Sequence, residues 1–218
     1  MNKSRNYFLF IKIGKEEHID ALQKKGHLYC NTIRSYRKME SETLRGDKHE
    51  GKAYMKQVKS LQLLIDNKVI ATSERGNLIY DNPDDIGNLF CLYGVQSNTV
   101  DLNNFSEQLI VIKNDVKKLG EYALLIHFPE EFLKRIENKL KPINKLFNFH
   151  PVNYIDFKSY EGELSPFYKS NEYKGQNEIR LWIPNEKEDV FEFFIGDITD
   201  ISYKMPVSMF NELTIKPE

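Results

Sequence analysis

Cysteine is nearly absent. Of 218 residues only Cys30 and Cys91 are thiols, each inside an apolar run (HLYCN and LFCLYGV). Two scattered cysteines make neither a disulfide framework nor a zinc site, and buried thiols in a reducing compartment are their plain reading. Long apolar runs are missing as well. No stretch approaches the roughly 20 residues that span a membrane. The opening MNKSRNYFLFIKIGKEEH has an apolar segment of strand length and no small-residue cleavage site. A cytoplasmic protein without a membrane partner is expected. The net charge of −1 gives no global pull toward nucleic acid, so any affinity for anions must come from a local patch. The chain has no Gly-x4-Gly-Lys-Ser/Thr, GxGxxG, HExxH or GxSxG. P-loop, Rossmann, zincin and α/β-hydrolase readings fall away with them.

What is present reads as one α+β domain over 1–218. Tyr7 to Ile13 is rich in strand formers and closed by Gly14. Lys15 to Lys25 puts Ile19 and Leu22 on one helical face and stops at Gly26, a good left-handed cap. A strand over His27–Cys30 follows, then a helix TIRSYRKME capped by Asn31 or Thr32. Val58–Asp66 and Val69–Ser73 predict a hairpin turning at Asn67. Leu89–Val95 and Tyr122–Phe128 read as apolar strands, the first central, and Pro129–Leu140 as a helix with Pro in its first turn. Further strands are predicted near 178–183, 190–195 and 198–203. The interval 141–175 reads as the longest weakly structured stretch. Helices mixed with strands that suit antiparallel pairing make this an α+β chain.

Three groups of residues carry candidate chemistry. Asp47, His49 and Glu50 are metal-ligand types in a polar loop, although His49 and Glu50 are adjacent and would diverge on a strand. Between Arg34 and Lys59 stand eight basic residues, among them Arg37 and Lys38, against four acidic ones. That excess suits a pyrophosphate or a nucleic-acid backbone, and equally a solvated surface. The third group is in YKGQNEIRLWIP. Strand alternation sends Gln176, Glu178 and Arg180 to one face and Ile179, Leu181 and Ile183 to the other, with Gly175 allowing a sharp bend just before. A carboxylate at the mouth of a sheet, with an amide one pleat earlier, suits chemistry in which a sugar becomes cationic at its anomeric carbon. A surface pair of Glu178 with Arg180 is the bland reading of the same face.

The Gln-x-Glu at Gln176 and Glu178 resembles the third motif of NAD-dependent ADP-ribosyltransferases. The resemblance implies that Glu178 is the catalytic carboxylate and that Gln176 orients the acceptor. The family's second motif sits on a central strand, and LFCLYGV offers Tyr93 as its nicotinamide-stacking Tyr. The first motif is an Arg or His on the first strand. YFLFIKIG departs from it, offering Lys12, with Arg5 just ahead. More broadly, HIDALQKKGHLYCNTIRSYRKME, RGDKHEG, LFCLYGV and PFYKSNEYKGQNEIRLWI together resemble a group of uncharacterised bacterial and prophage proteins of phage-defence and abortive-infection loci.

These likenesses imply an α+β domain with an ADP-ribosyltransferase-like split sheet, acting as a toxin or antiviral-defence protein. NAD would be its substrate, and nucleic acid or protein its acceptor, with a partner protein from the same locus. Glu178 and Gln176 would be catalytic, while Tyr93, Lys12, Arg37 and Lys38 would bind NAD. A non-catalytic module that recognises a phage protein or nucleotide, and a metal-dependent nuclease built on Asp47, His49 and Glu50, stand as the alternatives.

Overall fold

The structure is a computed structural model that describes residues 7–39, 49–81, 87–101 and 103–216. In chain order its elements are β1 (Tyr7–Gly14), α1 (Glu16–Lys25), β2 (His27–Thr32), α2 (Ile33–Met39), β3 (Lys52–Val58), β4 (Leu61–Ile65), β5 (Lys68–Ser73), β6 (Gly76–Asp81) and β7 (Gly87–Gln96). There follow β8 (Gln108–Leu109), α3 (Asn114–Lys117), β9 (Tyr122–Ile126), α4 (Pro129–Leu140), β10 (Asn148–Pro151), β11 (Asn153–Ile155), β12 (Gly162–Glu163) and β13 (Tyr168–Ser170). The chain ends with β14 (Glu178–Pro184), β15 (Phe191–Phe194), β16 (Ser202–Pro206) and β17 (Thr214–Ile215). Pairing is antiparallel throughout except between β11 and β13. The α+β architecture is therefore mixed and mostly antiparallel.

The main sheet runs β10-β14-β7-β1-β9-β16. Strand alternation divides its apolar residues between two cores. Phe10, Phe90, Leu92, Leu124, Ile126, Ile179 and Leu181 face one side, where α1 brings Ile19 and Leu22 and α4 brings Phe132, Ile136 and Leu140. Leu9, Ile11, Ile13, Val95, Ala123 and Leu125 face the other, covered by Ile110, Ile112, Val116, Val207 and Phe210. Because β1, β7 and β9 are buried on both faces, their sequences read as near-continuous apolar runs. β14 differs: Ile179, Leu181 and Ile183 enter the first core, while its other face presents Glu178 and Arg180, which are also buried.

The sheet forks at β7. Near its C-terminal end β7 pairs with β1, from Gln96 opposite Tyr7 to Tyr93 opposite Ile11. Near its N-terminal end it pairs on that flank with β2, Leu89 opposite Asn31 and Asn88 opposite Thr32. Between those points β1 and β2 diverge, and β15 extends the β2 arm. Lys12 reaches across the gap to donate from Nζ to the Cys91 carbonyl at 2.8 Å, with its ammonium 4.1 Å from the centre of the Phe90 ring.

Several sequence expectations are adjusted. The hairpin has a shorter first strand, Leu61–Ile65, and turns through Asp66 and Asn67, both at positive φ. Two such residues match the twist of a two-residue hairpin. Thr32, not Asn31, caps α2, its Oγ1 accepting from the Ser35 amide at 3.1 Å, and Glu40 lies outside the described residues. The strand placed at 198–203 begins only at Ser202, because the Asp197 carboxylate accepts the Thr199 amide and holds a turn there. The interval 141–175 contains four short strands defined by their partners rather than by their own composition: β10 pairs with β14, β12 with β3, and β11 with β13. His127, just past the end of β9, is exposed. No helix among the described residues is long and apolar enough to cross a membrane.

Gly26 closes α1 at φ 58°, where a Cβ would lie 2.2 Å from the Gly196 carbonyl oxygen. The contact is with backbone and cannot be relieved by a rotamer change. Gly26→Ala is expected to cost about 2 kcal/mol or more, read by chemical denaturation. A loss within a few tenths of a kcal/mol would show that α1 and the β15 arm separate freely.

Candidate functional site

A cleft of about 650 Å³ opens in the fork. β1 contributes Lys12, β2 contributes Tyr29 and Asn31, β7 contributes Phe90 to Tyr93, and the start of β14 contributes Glu178, with Gln176 and Lys169 beside it. The volume falls within the about 300–1,000 Å³ of small-molecule sites. Of the sequence candidates, Lys12, Tyr93, Gln176 and Glu178 are brought together there. Arg37 and Lys38 do not line it.

Register sets this geometry. Glu178 lies opposite Tyr93 and Arg180 opposite Cys91, so all four side chains share one face of the β14–β7 pair. Gln176 is not one pleat earlier on that strand. It ends a 3-10 turn over Asn171–Gln176, and the bend falls at Asn177, whose φ is 42°, rather than at Gly175. Asparagine tolerates that conformation and is anchored in it: Asn177 Nδ2 donates to the Gly94 carbonyl at 2.7 Å, and the Gly94 amide donates to the Asn177 carbonyl at 3.0 Å. The amide and carboxylate meet instead through Lys169, whose Nζ donates to Gln176 Oε1 at 2.7 Å and to Glu178 Oε2 at 3.0 Å.

Glu178 is therefore no rim residue. It is 8% exposed, and its partners Lys169 and Arg180 are each 1% exposed. Arg180 Nε donates to Glu178 Oε1 at 2.7 Å, while its two terminal nitrogens hold both oxygens of Glu50 at 2.6 and 2.8 Å. A further donation goes to the Pro166 carbonyl. Lys169 and Arg180 balance Glu50 and Glu178, two charges against two. Burial pushes Glu178 toward the neutral form, but the charges of Arg180 and Lys169, with hydrogen bonds from Arg180 and the Cys91 thiol, outweigh it and hold the carboxyl well below its usual range. Burial also pushes Glu50 up, and Arg180 pulls it only part of the way back. Arg180, between two carboxylates, stays charged. Burial raises the Cys91 and Tyr154 protons out of reach at neutral pH, with the Glu178 charge adding to it.

Glu50 is thus an ion-pair partner rather than a metal ligand, and Asp47 lies outside the described residues. Among the described residues no group of three or more His, Cys, Asp or Glu side chains is placed to hold a metal. Among the described basic residues of this segment, Arg34, Arg37 and Lys52 are engaged with other parts of the fold. Arg37 donates to the carbonyls of Glu50 and Gly51 at 2.8 and 3.1 Å, which fixes the turn that presents Glu50. Arg34 pairs with Glu188 and Lys52 with Asp81. Lys38 is exposed, and Arg5 and Arg45 lie outside the described residues. Sequence reasoning missed Lys169, a lysine in a polar stretch with no periodicity to betray burial.

Removing Arg180 leaves two carboxylates buried. Arg180→Met is expected to cost about 3–5 kcal/mol, measured by urea unfolding, and a loss below about 1 kcal/mol would mean that water enters the cluster. The pH dependence has a definite sign. Because the folded pKa of Glu178 is lowered, its contribution is complete above the ordinary glutamate value of 4.5 and lost as pH falls below it. Glu50, raised, works in the opposite sense, since the folded state holds its proton more tightly. Glu178→Gln should therefore flatten the acid limb of stability against pH, and an unchanged limb would place the acid-labile carboxylates elsewhere.

The chain matches no protein-family model, no curated protein and no solved structure.

Proposed function

We propose that this protein is an ADP-ribosyltransferase-like enzyme of a bacterial anti-phage or toxin system, using NAD to modify a macromolecular acceptor, nucleic acid or protein. One observation carries the reading: Glu178, kept ionised, stands directly opposite Tyr93 at the fork of a split sheet, in a cleft that Gln176 and Lys12 also line. The reading assigns that fork to an ADP-ribosyltransferase-like fold.

The chemistry follows from the charge. The bond between the nicotinamide nitrogen and C1′ of the ribose breaks, its electron pair leaves with nicotinamide, and C1′ becomes cationic. A fixed carboxylate beside it stabilises that state, and being preorganised it pays no solvent reorganisation at the moment of reaction. An acceptor nucleophile then bonds to C1′ and gives up its proton. Tyr93 supplies a ring for nicotinamide to stack on, and Gln176, held by Lys169, orients the acceptor. Lys12, at the junction of the two arms, lends positive charge to the cleft toward the pyrophosphate. Exposed Lys38 is left to meet the acceptor's phosphates, while Arg37 holds the Glu50 turn.

The non-catalytic binding module keeps a specific observation in its favour. Lys169 and Arg180 already answer the charge of Glu178, which lessens the field available to a developing cation. That protein would bind its ligand in the same cleft and leave it intact. The two readings part on turnover.

Nicotinamide release from NAD by purified protein, with and without the protein encoded beside it, separates them. Glu178→Gln should lower the release rate by about a hundredfold, on the order of 3 kcal/mol in the barrier. Because Glu178 is buried, each variant is assayed below its own melting transition. Gln176→Ala should spare release into water while impairing transfer to an acceptor. A wild type that binds NAD yet releases no nicotinamide under either condition would leave the binding module standing and end the enzyme reading.

A further inference from the structure

We infer that the β4–β5 hairpin is a self-association element, in which β4 pairs antiparallel with β4 of a second copy about a two-fold axis through Leu63. The hairpin forms a two-stranded sheet of its own, and every residue of both strands is exposed. Leu63 and Ile65 are 61% and 58% exposed, and Leu64, Val69 and Ile70 about half. An isolated two-stranded hairpin is marginal in water, and three or more strands are needed for independent stability.

Its two edges differ. The β5 edge carries Lys68 and an irregularity, since Leu63 pairs with Ala71 but Leu64 with Val69, leaving Ile70 as the extra residue. A lysine and a bulge are devices that keep a sheet edge from pairing. The β4 edge has neither: Leu61-Gln62-Leu63-Leu64-Ile65 is regular and uncharged.

That sequence is also self-complementary. Antiparallel pairing centred on Leu63 sets Leu61 beside Ile65 of the second copy, Leu63 beside its equivalent, and Gln62 beside Leu64. Leu61, Leu63 and Ile65 then form one stripe across both copies, as an isologous interface requires. Two residues before the strand, the same register sets exposed Lys59 opposite Asn67 of the second copy, beside Asp66 of that turn, twice by symmetry. Five residues per copy bury less than the about 1,200 Å² of a standard interface, so the dimer is weak and its population follows concentration.

Sedimentation velocity of the full chain across a concentration series tests this, with Leu63→Cys under mild oxidation. The expected results are a reversible monomer–dimer equilibrium and a disulfide joining position 63 to position 63, while Ile70→Cys on the guarded strand gives none. Leu63→Lys sets like charges face to face and should raise the dissociation constant at least about tenfold with melting unchanged. Lys59→Glu, which leaves the hairpin's apolar residues intact, should weaken the dimer at low salt. A monomer at every concentration, a dimer that survives Leu63→Lys, or the absence of a 63–63 disulfide would each overturn the proposal.

Discussion

Arg180 is the side chain on which the site depends. Its guanidinium gathers both oxygens of Glu50, 130 positions away, one oxygen of Glu178 on its own strand and the carbonyl of Pro166. A guanidinium offers five donors in a fixed planar fork, and four donations are made here, so its geometry dictates where the neighbours stand. Lys169 completes the balance of charge. Without the two cations, two carboxylates would sit in a protein interior at a cost of several kcal/mol each. With them, the polar face of β14 is buried without an uncompensated charge.

The cleft exists because β7 changes partners along its length. β1 holds one end and β2 the other, and α1 must span the gap between them, which is why it ends so tightly at Gly26 against the β15 turn. Lys12 of β1 donates to the Cys91 carbonyl of β7 between the two pairings. The ionic cluster lies at the β14 flank of the same strand, so the fork supplies the space and the cluster fixes the charge within it.

Much of this was written in local sequence. Gly26 announced the end of α1, Asn67 the hairpin, and the unbroken apolar run of Leu89–Val95 its central position. The alternation from Glu178 to Ile183 placed Glu178 and Arg180 on one face. What alternation does not reveal is whether a polar face meets water. That depends on Glu50, 130 positions from Arg180, and on Lys169, which has no local signature. The same blindness made Glu50 look like a metal ligand and Arg37 a phosphate binder, since a side chain committed to a distant carbonyl reads as free charge in one dimension. The strands within 148–170 escaped for a related reason. Segments of two to four residues acquire strand character from their partners, not from their own pattern.

The central claim is that the fork is a nucleotide site whose far wall is the Glu178–Tyr93 pair. Calorimetric titration with a non-hydrolysable carbocyclic NAD analogue tests it without requiring turnover. One-to-one binding is predicted, weakened at least about tenfold by Tyr93→Ala through the lost stacking face and unaffected by Leu63→Lys on the distant hairpin. Absence of binding to folded wild-type protein, or binding indifferent to Tyr93→Ala, would contradict it.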